Sequence, residues 1–373
     1  MAEDKNKLLQ EDKSTTVGEP GMKKFDAKSQ VRLTEDARES LHYLEKHPAM
    51  RSKMCLADLR ETIGAGAFDS LTLDRMYKSM LKGYEEYAPQ WPNLISKTTP
   101  ISDFHTRYSI IRSGFNRLPE VKAKESYKEL QYSDDQISWT PAKYGALYGY
   151  SFEASTYDDL GVFDSDVEEL GKAARRNLDF FFFYTCLDAN PMSYDGSHNV
   201  FGTVGSVDGA FVNTMTTTGL TMSGLETAYA KMLQQTQLDS AAVASFTSEN
   251  YMPAMYIPKY LIVHPSDLLT AKRLLQSVQY PGKSDNDTNV LNGELQIIVT
   301  PFITGTHWYL MADPAQGANT MEAGLWGGNA APELWYEPAN TGHAFAFDEV
   351  RTKIRTIYGG GLLDPRAWVL GST

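Results

Sequence analysis

The stretch 164–190 constrains the fold most, because it predicts one long helix whose second half has to be enclosed. Ser165 and Glu168 have the spacing of a capping box, and apolar residues then recur every three or four positions. About 24 residues at 1.5 Å each form a rod of roughly 36 Å. The phenylalanines at 180–183 make the second half apolar on every side, so other parts of the chain must surround that half.

The stretch 104–153 predicts a long two-stranded excursion with a charged middle. Residues 104–112 have the composition of a strand, residues 117–135 are markedly polar, and residues 144–152 alternate with the period of two of a strand that has one aromatic face. A hairpin of this kind has little apolar surface to bury on itself. We therefore expect it to lie on something else, such as another subunit.

The remaining pattern predicts an α+β protein with a central mixed sheet. Residues 1–30 alternate charges with glycine and proline, which indicates an extended arm. Short buried strands are predicted at 260–263, 295–300 and 308–311, and closing strands at 351–358 and 367–370, with the glycines at 359–361 as the break between them. Two cysteines far apart in the sequence predict no disulfide framework and indicate synthesis in a reducing cytoplasm.

The sequence contains no pattern that predicts catalysis, a cofactor or a metal site. No two of the seven histidines have the spacing of helix-borne metal ligands, and neither a phosphate-binding loop nor a GxSxG elbow is present. His264 follows a buried strand and precedes a helix, which is a suitable position for a catalytic group. A polar turn residue that caps the helix is the favoured interpretation of His264, and we therefore expect a protein that is not an enzyme.

The order of these elements resembles that of the major capsid proteins of tailed bacteriophages, which have the Hong Kong 97-like fold. The resemblance covers residues 30–373 and includes the strand–His-Pro–helix element around His264 and Asp364-Pro365-Arg366-Ala367 before the last strand. It implies an N-terminal arm and short helix at 1–60, a helical connection at 61–103 and an extended β-hairpin loop at 104–153. It further implies a peripheral-domain spine helix at 154–190, a mainly axial domain at 191–340 and C-terminal strands at 341–373.

The resemblance also implies a function and partners. The chain would be the major head protein of a phage, assembling in the host cytoplasm into hexamers and pentamers of an icosahedral shell around double-stranded DNA in the virion. Its partners would be other copies of itself, a separate scaffolding protein, a portal protein and a decoration or cement protein, with packaged DNA contacted without sequence specificity and no membrane involved. An encapsulin-like nanocompartment shell is the alternative, and an uncharacterised α+β hydrolase or binding protein is a further one.

Candidate contacts between subunits lie in the predicted loop. Lysines there resemble those through which some family members crosslink to an asparagine, but no partner asparagine is identified, so we predict no crosslink. The aromatic face of the returning strand is expected to pack at an interface. The candidate contact residues are Lys122, Lys124, Lys128, Trp139, Tyr144, Tyr148 and Tyr150.

The charge is distributed unevenly along the chain. The net charge is −12, and residues 185–350 hold 5 Lys and Arg against 16 Asp and Glu. This balance argues against a protein that binds nucleic acid over its whole surface. In a shell, an acidic axial domain would instead repel enclosed DNA and keep it from adhering to the wall. No stretch approaches the length of a membrane span, and the first ten residues lack the apolar segment of a secretory signal.

Overall fold

The computed structural model describes residues 65–112, 120–127, 134–151, 162–191, 199–201, 213–215, 219–235, 253–281, 288–337, 346–347 and 349–372. Contacts divide the chain into one unit at Met1–Leu71 and a second at Thr72–Thr373. The first unit is described only where its last residues begin a helix. The predicted arm at 1–60 lies outside the described residues.

The helices of the described ranges are α1 (Ala65–Glu86), α2 (Val162–Phe180), α3 (Met222–Leu233) and α4 (Leu268–Gln276). α2 continues directly into a π-helical segment, Phe181–Asp188. Short 3₁₀ turns lie at Trp91–Leu94, Pro265–Asp267, Pro314–Gln316 and Pro365–Ala367. Each has a proline in its first two positions, where the missing N–H removes no helical hydrogen bond.

The strands form two five-stranded sheets and a two-stranded hairpin within the described chain. They are β1 (Ile95–Ile101), β2 (Arg107–Arg112), β3 (Asp134–Trp139), β4 (Ala142–Ser151), β5 (Thr214–Met215), β6 (Pro258–Val263), β7 (Gln296–Val299), β8 (His307–Ala312), β9 (Met321–Trp326), β10 (Glu333–Tyr336), β11 (Glu349–Leu362) and β12 (Trp368–Ser372).

The long strand β11 organises the first sheet. One of its edges pairs antiparallel with β4, and the other edge pairs with β10 and then with β9, while β1 lies parallel to β9. Successive side chains of a strand point to opposite faces. Ile354 packs with Met80 and Val167 of the helix pair α1 and α2, whereas Ile357 packs with Trp139 of β3 on the opposite face. The sheet therefore lies between α2 and the base of the hairpin β2–β3.

The second sheet is the mixed sheet that the sequence predicts for the C-terminal half. Its order is β5-β12-β8-β6-β7, with β8 antiparallel to both β6 and β12 and with parallel pairs at its two edges. The buried residues Trp308, Tyr309 and Trp368 fill its core together with Leu225 and Met232 of α3. These two sheets and four helices confirm the predicted α+β class.

Two glycines allow α1 and α2 to cross closely. A Cβ atom on Gly83 would lie 2.0 Å from the carbonyl oxygen of Glu168, and one on Gly171 would lie 2.1 Å from that of Met80. The buried carboxylate of Asp179 then fixes the chain after α1, because it accepts hydrogen bonds from the Tyr87 hydroxyl at 2.8 Å and from the backbone N–H of Trp91 at 2.8 Å. Burial raises the pKa of Asp179 despite these hydrogen bonds.

Three local predictions about the long helix and the glycines were wrong in detail. The helix begins at Val162, so Ser165 is not its cap, and the Glu168 carboxylate instead pairs with Lys82 at 3.0 Å. Phe182 and Phe183 are buried as predicted, but Phe180 is 42% exposed. The glycines at 359–361 lie inside β11 and do not separate two strands. A Cβ atom on Gly359 would lie 2.9 Å from the ring of Trp139, and one on Gly360 would lie 2.3 Å from the carbonyl oxygen of Glu322.

The predicted excursion at 104–153 also pairs differently from the expectation. β2 pairs antiparallel with β3, from Arg107↔Trp139 to Arg112↔Asp134. β4, which carries the alternating aromatic pattern, pairs with β11 of the large sheet. The hairpin is therefore shorter than predicted, because β4 pairs over its whole length, Ala142–Ser151, with β11.

Candidate functional site

The candidate functional site is the hairpin, defined here as β2, β3 and the residues 113–133 that join them. Residues 120–127 of this connection are described, and all but Val121 are exposed. The Lys122 carbonyl accepts a hydrogen bond from the backbone N–H of Glu125 at 3.0 Å, which closes a turn. Lys124 occupies the left-handed region of this turn with φ of 68°.

The exposed turn presents groups that a neighbouring molecule could contact. Lys122 and Lys124 are both exposed, and their role in subunit contacts stays a prediction. Tyr127, which the sequence did not single out, is 89% exposed. Aromatic side chains are enriched where another chain covers the surface, so Tyr127 joins the two lysines as a candidate contact. Lys128 lies outside the described residues.

Trp139, at the base of the hairpin, lies inside the subunit. Its side chain is 6% exposed and packs with Ile101 and Ile357. Its ring rests on two glycines of the first sheet: a Cβ atom on Gly324 would lie 2.1 Å from Cη2, and one on Gly359 would lie 2.9 Å from Cε3. The indole therefore anchors the hairpin to its own subunit and has almost no surface left for a neighbour.

A buried carboxylate lies beside this indole. Glu322 of β9 is 1% exposed, and its carboxylate accepts a hydrogen bond from Trp139 Nε1 at 3.2 Å. It also accepts hydrogen bonds from the hydroxyls of Ser109 and Thr99, and it pairs with Lys97 Nζ at 3.0 Å. We call this group of five residues the Glu322 anchor. It joins strands β1, β2, β3 and β9.

The aromatic face of β4 is directed into the subunit as well. Tyr144 stacks on Tyr358 with ring centroids 4.4 Å apart and meets the edge of Phe181. The Tyr148 hydroxyl donates a hydrogen bond to Asp166 of α2. The side chain of Tyr150 is outside the described set. Of the five predicted contact residues whose side chains are described, Lys122 and Lys124 are therefore the exposed ones.

The features that could indicate chemistry have structural roles. His264 caps the turn Pro265–Asp267, because its Nδ1 accepts a hydrogen bond from the backbone N–H of Ser266 at 3.3 Å. This is the structural role that the sequence favoured. No three His, Cys, Asp or Glu side chains of the described ranges form a group that could hold a metal ion. Two surface clefts of about 420 and 540 Å³ are lined by other residues than His264.

Another buried carboxylate, at the end of the π-helical segment, was also missed by sequence reasoning. Asp188 accepts hydrogen bonds from His307 Nδ1 at 2.8 Å, the Tyr309 hydroxyl at 2.7 Å and the backbone N–H of Thr304 at 3.0 Å. Burial by itself would raise the pKa of Asp188, but these hydrogen bonds outweigh burial and hold the pKa below its usual range. The cluster ties α2 to the second sheet.

No helix within the described ranges is both long enough and apolar enough to cross a membrane.

The comparison that decides the identity of the chain is with a family model. The model for phage capsid protein matches residues 134–371, which is more than half of the chain. The chain belongs to the phage capsid protein family. The resemblance drawn from the sequence is thereby confirmed, and with the observed order of elements it confirms the α+β, Hong Kong 97-like fold.

Solved structures similar to this phage capsid protein are distant. A protein of Gordonia phage Cozz is 14% identical, with 77% of this chain and 87% of the other covered and a TM-score of 0.47. The capsid of cyanophage P-SCSP1u is 9% identical, with 76% and 88% covered and a TM-score of 0.47. A virus-like particle from Pyrococcus furiosus is 14% identical, with 81% and 99% covered and a TM-score of 0.41. No curated protein matches the sequence.

As a member of this family, the chain is a component of the virion capsid, a shell made of copies of itself.

Proposed function

We propose that this capsid protein is the major head protein of a tailed phage and that it assembles into the hexamers and pentamers of an icosahedral shell enclosing double-stranded DNA. The hairpin is the observation that carries the proposal. Its base is fixed inside the subunit by Trp139 and Glu322, whereas its far end presents Lys122, Lys124 and Tyr127 to solvent. A hairpin fixed at one end and exposed at the other is suited to reach a neighbouring subunit.

The energetics of the hairpin support this role. An isolated two-stranded hairpin is marginally stable in water, and this one has a polar far end with little to bury on itself. Obligate interfaces between subunits bury on the order of 2,000 Å² or more. Contact with a neighbour would give the hairpin the buried surface that its own subunit does not supply, and repetition of that contact around closed symmetry gives a container.

Further parts of the proposal follow from the family. We propose that the N-terminal arm, extended loop, peripheral domain with spine helix α2, axial domain and C-terminal strands divide the chain as the sequence predicts. A separate scaffolding protein, a portal protein and a decoration or cement protein are the proposed partners, and assembly takes place in the host cytoplasm. The protein works through contacts between subunits and has no catalytic function.

The test replaces residues 113–133 with an Asn-Gly turn, because Arg112 and Asp134 are paired and a two-residue turn can join them. The variant keeps all five residues of the Glu322 anchor, so we expect a folded, soluble subunit with the circular dichroism spectrum of the wild type. We expect closed shells from the wild type in electron micrographs and none from the variant. The substitution Gln276→Ala, at an exposed polar site on α4, is the control and should assemble normally.

Two results would contradict the proposal. Closed shells of normal diameter from the shortened variant would exclude the hairpin as an essential contact. Wild-type protein that stays monomeric even when the neighbouring genes are expressed with it would exclude a shell altogether. Particles from infected cells should protect double-stranded DNA from nuclease; an enclosed enzyme without a genome would instead identify an encapsulin-like nanocompartment.

A further inference from the structure

The Glu322 carboxylate on β9 contacts donor groups from three other strands. It contacts Lys97 and Thr99 of β1, Ser109 of β2 and Trp139 of β3, and it is itself buried. The two hairpin donors are 213 and 183 residues away in sequence. A carboxylate removed from water is costly unless donors satisfy it, and here both strands of the hairpin contribute donors.

The glycines beneath Trp139 are an independent observation on the same junction. Gly324 lies two residues after Glu322 on the same face of β9, and Gly359 lies beside it on β11. Any side chain at Gly324 would occupy the space of the indole ring, since a Cβ atom there would lie 2.1 Å from Cη2. The two glycines therefore form a slot in the sheet that holds the Trp139 ring, and Glu322 fixes the orientation of the indole N–H.

We propose that Glu322 and Trp139 are positioning residues that set the angle between the hairpin and its own subunit, and so decide where the hairpin meets the next copy. This inference rests on the proposed function. The length of the strands shows how accurately the angle of the hairpin has to be set. A six-residue strand is about 20 Å long, so a rotation of about 20° at its base moves the far end by about 7 Å. That displacement exceeds two hydrogen-bond lengths and would remove the matching contacts on the neighbour.

The decisive variant is Glu322→Gln, which keeps the size of the side chain but replaces one acceptor oxygen with a donor. The matched control is Asp188→Asn, because Asp188 is also a buried carboxylate with several donors, none of them in the hairpin. Trp139→Phe is the second variant. It keeps an aromatic ring in the slot and loses the hydrogen bond to Glu322, so it serves if the glutamine variant does not fold.

The first measurement is amide hydrogen exchange by mass spectrometry on the unassembled subunit. Glu322→Gln and Trp139→Phe should speed exchange in β2 and β3 about tenfold or more, the effect of losing a hydrogen bond to a charged group, with β6 and β8 unchanged. Asp188→Asn should speed exchange near β8 and leave the hairpin as in the wild type. Hairpin exchange equal to wild type in both anchor variants, or acceleration spread equally over the chain, would overturn the inference.

The second measurement is the geometry of assembly, by electron microscopy of each variant. The anchor variants should give open sheets or shells of mixed diameter, and the control should give shells of wild-type diameter. Uniform wild-type shells from the anchor variants would overturn the positioning role even if exchange had changed. If the wild type forms no shells, the proposed function fails, while the exchange measurement still decides whether Glu322 orients the hairpin.

Discussion

Breaking the buried ion pair between Asp364 and Arg366 should destabilise the subunit strongly. Both side chains are almost fully buried at the turn between β11 and β12. The guanidinium donates to both oxygens of Asp364, at 2.8 and 2.6 Å, and the Tyr256 hydroxyl donates to the same carboxylate at 2.5 Å. Arg366→Met would leave this carboxylate buried without a countercharge.

The expected loss of unfolding free energy follows from the cost of removing one partner of a buried ion pair and leaving the other without a countercharge. Such a loss typically destabilises a protein by about 3–5 kcal/mol. Asp364 would keep the Tyr256 hydroxyl and the backbone N–H of residue 366, so we expect about 3 kcal/mol for Arg366→Met. Asp364→Asn should cost about as much, and the double variant should cost less than the sum, with a coupling of about 2 kcal/mol.

Urea unfolding of the unassembled subunit, followed by tryptophan fluorescence, measures these values, since Trp368 is buried two residues after Arg366. The matched control is Arg355→Met. Arg355 also donates two hydrogen bonds to one carboxylate, that of Glu333, but both side chains are partly exposed. Its loss should cost about 1 kcal/mol or less. A loss for Arg366→Met no larger than this control, or strictly additive costs, would refute the reasoning.

Three further outcomes are expected. Burial raises the pKa of the Cys186 thiol to about 12. In the Cys55→Ser variant at pH 8, Ellman's reagent should therefore label Cys186 in urea and leave it unlabelled in the native subunit. Equal labelling rates in the two states would contradict this. Because the pKa of Asp188 is lowered in the folded state, its stabilising effect is present above about pH 4 and is lost as the pH falls further, so Asp188→Asn should reduce the acid sensitivity of the urea midpoint. Gly371→Ala would place a Cβ atom 2.0 Å from the buried ring of Trp308, and thermal unfolding should show a loss of about 1–3 kcal/mol, whereas an unchanged melting temperature would mean that the ring moves freely.

The elements that the sequence predicts well are those with a long regular period. The apolar stripe of α2 and the alternation along β4 extend over enough residues to distinguish a helix from a strand. Both elements are present. The predicted cap at Ser165 failed because the helix begins three residues earlier, at Val162, and the Glu168 carboxylate pairs with Lys82 of α1 and with Lys172 one turn further along α2.

The Glu322 anchor could not be predicted in the same way. Its members come from four strands, and no local pattern shows that a glutamate in a short buried strand will meet a tryptophan 183 residues earlier. Trp139 was predicted to contact another subunit as part of a hairpin that has little apolar surface to bury on itself. The slot that buries it depends on Gly324 and Gly359 in another sheet, and in the sequence the run of glycines at 359–361 resembles a strand break.

The structure also changes what the uneven charge means. Among the acidic residues of 185–350, Asp313 and Glu322 are buried and paired with Lys259 and Lys97. Their carboxylates add to the formal charge of this segment but contribute little to the field outside the protein, because a paired buried charge is neutralised at short range. The charge that this segment presents to solvent therefore depends on exposed residues such as Glu226 and Glu294. Neutralising those two should change the surface charge without weakening the subunit, whereas neutralising a buried carboxylate would weaken the subunit first.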